Sequence, residues 1–103
     1  MIMIDKDFNK ARMEATDALV HWAKAGRGYY TMRNAVNRFI DASGANRHAI
    51  GGEETILAYR KIAVSRLAID GIYALSKSEL AKLDRELDAI ANDIPRESKG
   101  IRR

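Results

Sequence analysis

The sequence predicts an all-α fold, a single small domain of about four helices packed around a central apolar helix, and three observations predict it. Breakers are sparse: 103 residues hold one proline and seven glycines, most of them between stretches of regular apolar periodicity. Those stretches repeat with a period near 3.6, and none alternates convincingly in the manner of a strand. In the segment Glu53 to Leu75, apolar residues fall on almost every side of a helical wheel, so a helix there needs neighbours on several sides.

The first helix is expected over residues 5–25. Phe8, Ala11, Ala15, Ala18, Leu19 and Trp22 gather on one side of it, and Lys10, Glu14, Asp17, His21 and Lys24 take the opposite arc. Asp5 is the expected cap, Gly26 the expected left-handed stop, and Trp22 the expected anchor in the core. Gly26 to Tyr30 then reads as a short connection. Thr31 is the expected cap of a second helix over 32–42, whose stripe is Met32, Ala35, Val36, Phe39 and Ile40. The run from Gly44 to Gly52 reads as the longest irregular segment and the most mobile internal loop.

The central helix is expected over 53–75, with Glu53 and Glu54 in its first turn, where acidic groups suit the helix dipole. Gly71 lies inside it and costs ~1 kcal/mol relative to alanine, which points to close approach of another backbone or to a local bend. The alternative is that the helix stops near Asp70 and restarts. Arg66 and Asp70, one turn apart, are the expected semi-buried charges and read as a structural ion pair.

Ser76-Lys77-Ser78-Glu79 matches a capping box, so a fourth helix is expected over 76–94. Its Leu80, Leu83, Leu87, Ile90 and Ile94 alternate steps of three and four, a seam too short for an independent coiled coil. The seam is therefore expected to fold back on the central helix as an antiparallel hairpin. Pro95 stops it, giving a domain over 1–95 and a disordered basic tail over 96–103.

Composition excludes several chemistries. The absence of cysteine removes disulfides, thiolate metal sites and cysteine nucleophiles. His21 and His48 stand apart without zinc-site spacing, and no glycine-rich phosphate loop follows a strand. The expectation is a non-catalytic protein with no cofactor and no metal. With no apolar run long enough for a signal peptide or a membrane span, the expected location is cytoplasmic.

Charge supplies the main functional hint. Net charge is +4, and residues 24–50 hold five basic residues against the single Asp41. Lys24, Arg27, Arg33, Arg38 and Arg47 are accompanied there by Tyr29 and Tyr30, a pairing suited to phosphate contact and base stacking. The favoured expectation is a small basic binding protein that engages nucleic acid or an acidic nucleoprotein surface through these residues. The competing expectation is a protein–protein module, a small regulator or inhibitor that acts through apolar helix faces, with a homodimer among its forms. Tyr59, Ile62, Ile69 and Tyr73 are the candidate interface, because three helices, one of them short, must cover three apolar sides of the fourth.

Three local resemblances accompany this reading. LSKSELAKLDREL, Leu75 to Leu87, resembles the first half of a helix-turn-helix reader but has no glycine turn after Leu83. ALVHWAKAGRGYY, Ala18 to Tyr30, is similar to the tryptophan-containing stretch of some phage antitermination proteins. RKIAVSRLAIDGIYAL, Arg60 to Leu75, is similar to the helical domain of phage proteins that sequester cyclic nucleotides. The last two imply a small mobile-element protein and assign no site residue.

Overall fold

The computed structural model describes residues 2–44 and 52–93. Among these residues every regular element is helical, in the order α1 (Ile2–Ala25), α2 (Tyr29–Ser43), α3 (Glu53–Asp70) and α4 (Lys77–Asp93), with a 3-10 turn at Ile72–Ala74 between the last two. The expected irregular segment between the second and third helices, with Arg47 and His48, lies outside the described residues. So do Ile94, Pro95 and the expected basic tail.

The helices form two hairpins. The start of α1 meets the end of α2 through Phe8 and Phe39, whose ring centroids are 5.4 Å apart. At the other end Trp22 meets Tyr29 edge-on at 6.0 Å, so the two helices run antiparallel. In the second hairpin Lys61 pairs with Asp88 at 3.3 Å, while Ser65 and Ile72 share a cleft with Asp84 and Leu80. That register makes α3 and α4 antiparallel, as the short leucine seam requires. The predicted central helix touches all three others.

Each amphipathic stripe turns its apolar side to the core for the reason its periodicity implies. On α2 all five stripe residues, Met32, Ala35, Val36, Phe39 and Ile40, are buried. Leu19, Leu67, Leu83 and Ile90 complete a core with Trp22 at its edge. Burying such side chains removes roughly 1.5–3 kcal/mol each of unfavourable hydration, which makes this shared core the dominant stabilising term. Three helical boundaries depart from the sequence expectation by three residues or more, the start of α1, the start of α2 and the end of α3.

Helix α1 begins at Ile2, so Asp5 stands inside the helix and not at the N-cap position expected of it. Helix α2 begins at Tyr29 and not after Thr31: Gly28, at φ 87°, stands at its start with no side-chain cap. The Gly28 carbonyl accepts the Met32 amide at 3.0 Å, the first bond of the helix. Only glycine adopts that left-handed angle without steric cost, so the chain turns at Gly28 and both tyrosines become helical.

Helix α3 ends at Asp70, which corrects the unbroken helix expected over 53–75 and agrees with the alternative break. Gly71 has φ −93°, an angle open to any residue, so its need for glycine is one of space. A Cβ built there would lie 2.6 Å from Cγ2 of Val20 on α1. The close approach is therefore that of a side chain. Helix α4 starts at Lys77 behind a formed capping box: the Ser76 amide donates to Glu79 Oε1 at 2.9 Å, and the Glu79 amide donates to Ser76 Oγ at 3.2 Å. Satisfying two otherwise free amides fixes where the second hairpin turns.

The charged residues on α3 also depart from expectation. Asp70 does not pair with Arg66. It accepts two hydrogen bonds from Arg12 of α1, at 2.7 and 3.0 Å, a bidentate pair that ties the two hairpins together. Arg66 is exposed, and the buried cation of α3 is Arg60, 6% exposed on the arc that carries Ile56, Ala63 and Leu67. No helix of the described residues is long and apolar enough to cross a membrane.

Candidate functional site

Two surfaces carry the candidate residues, and their chemistry differs. The first is the corner where α1 turns into α2. Left-handed backbone at Gly26 and Gly28 reverses the chain within three residues and sets Lys24, Arg27, Tyr29, Tyr30 and Arg33 close together. The carboxylates of α4 then reach them. Lys24 donates to Glu79 Oε1 at 3.3 Å, and the Tyr29 hydroxyl donates to Asp93 Oδ2 at 2.7 Å. Arg33 Nε lies 3.8 Å from the same Asp93 oxygen.

The consequences show in the titration of these groups. Partial burial, then the hydrogen bond to Asp93, push the Tyr29 phenol up to about 12. The Ser76 amide and the nearby Lys24 ammonium hold Glu79 below the ordinary carboxylate range, against a smaller opposing effect of burial. Tyr29 is half-buried against Trp22 and anchored by its hydroxyl, so it is a structural tyrosine at this corner. Lys24 and Arg33 have much of their field offset by α4.

What stays open at the corner is a smaller set. Tyr30 is 71% exposed, and the Arg33 guanidinium stands 5.5 Å from its ring centroid. Arg27 and Arg38 are exposed, with Arg38 two turns beyond Tyr30 on α2. Arg47, the last of the basic candidates, lies outside the described residues. The structure thus gathers Lys24, Tyr29 and Arg33 onto α4, stacks Tyr30 with Arg33, and leaves Arg27 and Arg38 to solvent.

The second surface is the side of α3 that faces away from the other helices. Exposures there are 41% for Tyr59, 62% for Ile62 and 68% for Ile69, and Tyr73 in the following 3-10 turn is 99% exposed. All four candidates reach solvent, Tyr59 the least, and Ile72 joins them at 41%. Helix α3 buries Ile56, Ala63, Val64, Leu67 and Ala68 against its neighbours and still has apolar residues to spare on the far side. Scattered apolar side chains on a surface are ordinary, but these follow one side of α3 into the 3-10 turn, with Ser65 and the exposed Arg66 between Ile62 and Ile69.

Clefts flank this row on both sides. One, of about 370 Å³, is walled by Phe8, Phe39, Ser43, Tyr59, Ile62, Ala63 and Arg66. The other, of about 250 Å³, lies between α3 and α4 and is lined by Ser65, Ala68, Ile69, Ile72, Leu80, Asp84 and Leu87. A ridge of isoleucines between two shallow, mostly apolar grooves is the shape onto which a helix packs. Phe8 and Phe39 are site residues that sequence reasoning placed only in the core. No signal in the chain could have assigned them to this cleft, because their role depends on how the two hairpins meet.

A third cleft, of about 520 Å³, lies over the Arg12–Asp70 pair and is lined also by Asn9, Met13, Thr16 and Asp17. Arg12 and Asp70 satisfy each other there, and Asp17 is the one further charged side chain of its lining. Among the described residues no group of three or more His, Cys, Asp or Glu side chains is placed to hold a metal ion. The chain matches no family model, no curated protein and no solved structure.

Proposed function

We propose that this chain is a non-catalytic helical binding protein of the cytoplasm, a small regulator or inhibitor, that acts by docking the outward face of α3 onto a protein. The observation that carries the reading is the exposure of Ile62 and Ile69, at 62% and 68%, along a helix whose opposite side is fully packed. Leaving such side chains in water forgoes roughly 1–2 kcal/mol each, and covering them on association recovers it. The cleft beside Phe8 and Phe39 supplies a pocket for one anchoring side chain of the partner.

The test is co-purification from the cells that make the protein, with nuclease treatment and with washes at low and high salt. Apolar docking retains its partner at high salt, and the double variant Ile62→Asp, Ile69→Asp loses it while keeping its helical spectrum. A partner that leaves at moderate salt, or that survives the double variant, contradicts the reading.

A second reading rests on a different observation, the exposed Tyr30 ring with Arg33 over it and Arg27 and Arg38 open nearby. Such a cluster supports stacking on an unpaired base with phosphates on either side, which makes nucleic acid the alternative partner. Here Arg27→Ala with Arg38→Ala weakens a mobility shift on mixed DNA and RNA, and affinity falls as salt rises. Absence of any shift at low salt removes this reading.

A further inference from the structure

Resting on the docking role of the α3 face, we infer that its occupant is a second copy of this chain, antiparallel to the first about a two-fold axis passing beside Ser65 and Arg66. Counted along the sequence, the row is symmetric about that point, its last member Ile72 standing in the 3-10 turn just beyond α3. Ile62 and Ile69 stand equally far from the midpoint between Ser65 and Arg66, and Tyr59 and Ile72 stand equally far beyond them. A two-fold interface places residue i on residue j and j on i. An antiparallel copy therefore sets Ile62 on the partner's Ile69 and Tyr59 near the partner's Ile72, twice over.

Shape points to the same arrangement. Tyr73, 99% exposed, stands at the C-terminal end of the row, and the cleft walled by Phe8, Phe39 and Tyr59 opens beside its N-terminal half. Reversing one copy brings each Tyr73 to the other's cleft, where aromatic walls offer edge contacts. A parallel pair would leave both tyrosines and both clefts at opposite ends.

Area is sufficient. Tyr59, Ile62, Ile69, Ile72 and Tyr73 together expose on the order of 600 Å², against ~800 Å² buried per partner in a standard stable interface. Ala58, Ser65 and Arg66 flank the row and supply the remainder. Charge makes the association distinctive: each chain carries +4 and the two Arg66 side chains meet along one edge, so salt strengthens the dimer. Binding led by nucleic acid responds to salt in the opposite sense.

The test uses the purified 103-residue chain in equilibrium sedimentation at low and high salt. The expected result is twice the 11.5 kDa chain mass, more completely at high salt, with Ile62→Asp returning the mass to that of one chain and an unchanged helical spectrum. The native chain has no cysteine, so single cysteines report the register without interference. Ser65→Cys links to itself under oxidation. Ile62→Cys, whose two copies sit about 10 Å apart along the helix, links to Ile69→Cys and not to itself. Self-linking of Ile62→Cys as fast as Ser65→Cys would overturn the antiparallel two-fold. A single-chain mass at every salt and concentration would overturn the second copy as occupant. In that case a salt-resistant partner lost in Ile62→Asp leaves the docking face standing, and no such partner removes both.

Discussion

The α1–α2 corner and the outward face of α3 are both places where the sequence concentrates residues beyond those the core needs, yet the fold treats them oppositely. At the corner, α4 brings carboxylates to Lys24, Tyr29 and Arg33 and draws most of the cluster into the architecture. On the outward face of α3, by contrast, Ile62, Ile69 and Tyr73 remain open. The difference teaches that a run of charge is a poor guide to a binding surface until the opposite charges have been placed. An apolar row that no helix covers is a better one, because only burial elsewhere relieves it.

The comparison breaks most visibly at Trp22. Buried at the corner with Tyr29 against its edge and the Lys82 ammonium 5.1 Å from its centroid, it closes the first hairpin over the second. Trp22→Ala is expected to destabilise the fold by about 3–5 kcal/mol in urea titration. The matched pair Leu67→Ala and Ile62→Ala sharpens the contrast within one helix. Leu67 is fully buried and Ile62 mostly exposed in the single chain, so in titrations dilute enough to keep the chain monomeric the costs should be about 2–5 kcal/mol and within ~0.5 kcal/mol respectively. Equal costs would mean that α3 has no open side.

Gly71→Ala comes next. It restricts the unfolded chain but drives a methyl to 2.6 Å from Val20, an overpacking cost of about 1–3 kcal/mol. Adding Val20→Ala should recover most of that loss in the same titration. Lys24→Ala, which removes a half-exposed pair with Glu79, should cost no more than ~1 kcal/mol, less at high salt. This small value measures how far the corner is tied by charge and how far by the ring of Trp22.

The smallest effects come from pH, and they separate the two ends of α4. Glu79 is held below its ordinary value of 4.5. Its contribution is present above the unfolded carboxylate range and is lost as pH falls through the lower folded value. Far-ultraviolet circular dichroism should show loss of helix on acidification that Glu79→Gln makes less dependent on pH. Tyr29 is raised from 10.0 to about 12, so its contribution is present below the unfolded value and is lost as pH rises through the folded one. In an absorbance titration of the four tyrosines, one step should come late and vanish in Tyr29→Phe.

The fold was legible in the chain because its signals are local. Apolar stripes on α1, α2 and α4, the Ser76–Glu79 capping box and the sparse glycines each depend on neighbours a turn or two away. The start of α2 was misplaced because Thr31 is a good cap by type, while the backbone turn actually occurs at Gly28. The pairing of Asp70 was misread for a tertiary reason: Arg66 is its neighbour in sequence, and Arg12 is its neighbour in space. The open row on α3 was half legible. Its excess of apolar residues could be counted and Tyr59, Ile62, Ile69 and Tyr73 named from the wheel, but how far each is exposed and the clefts beside them depended on how two hairpins pack.

The claim that the bare side of α3 meets a protein while the corner does not is tested most directly by photo-cross-linking in the cells that make the chain. A benzophenone side chain replaces Ile69 in one variant and Arg38 in another. The account predicts protein adducts from position 69, insensitive to nuclease, and none of comparable yield from position 38. Protein adducts confined to position 38, or nucleic-acid adducts there with silence at position 69, would contradict it.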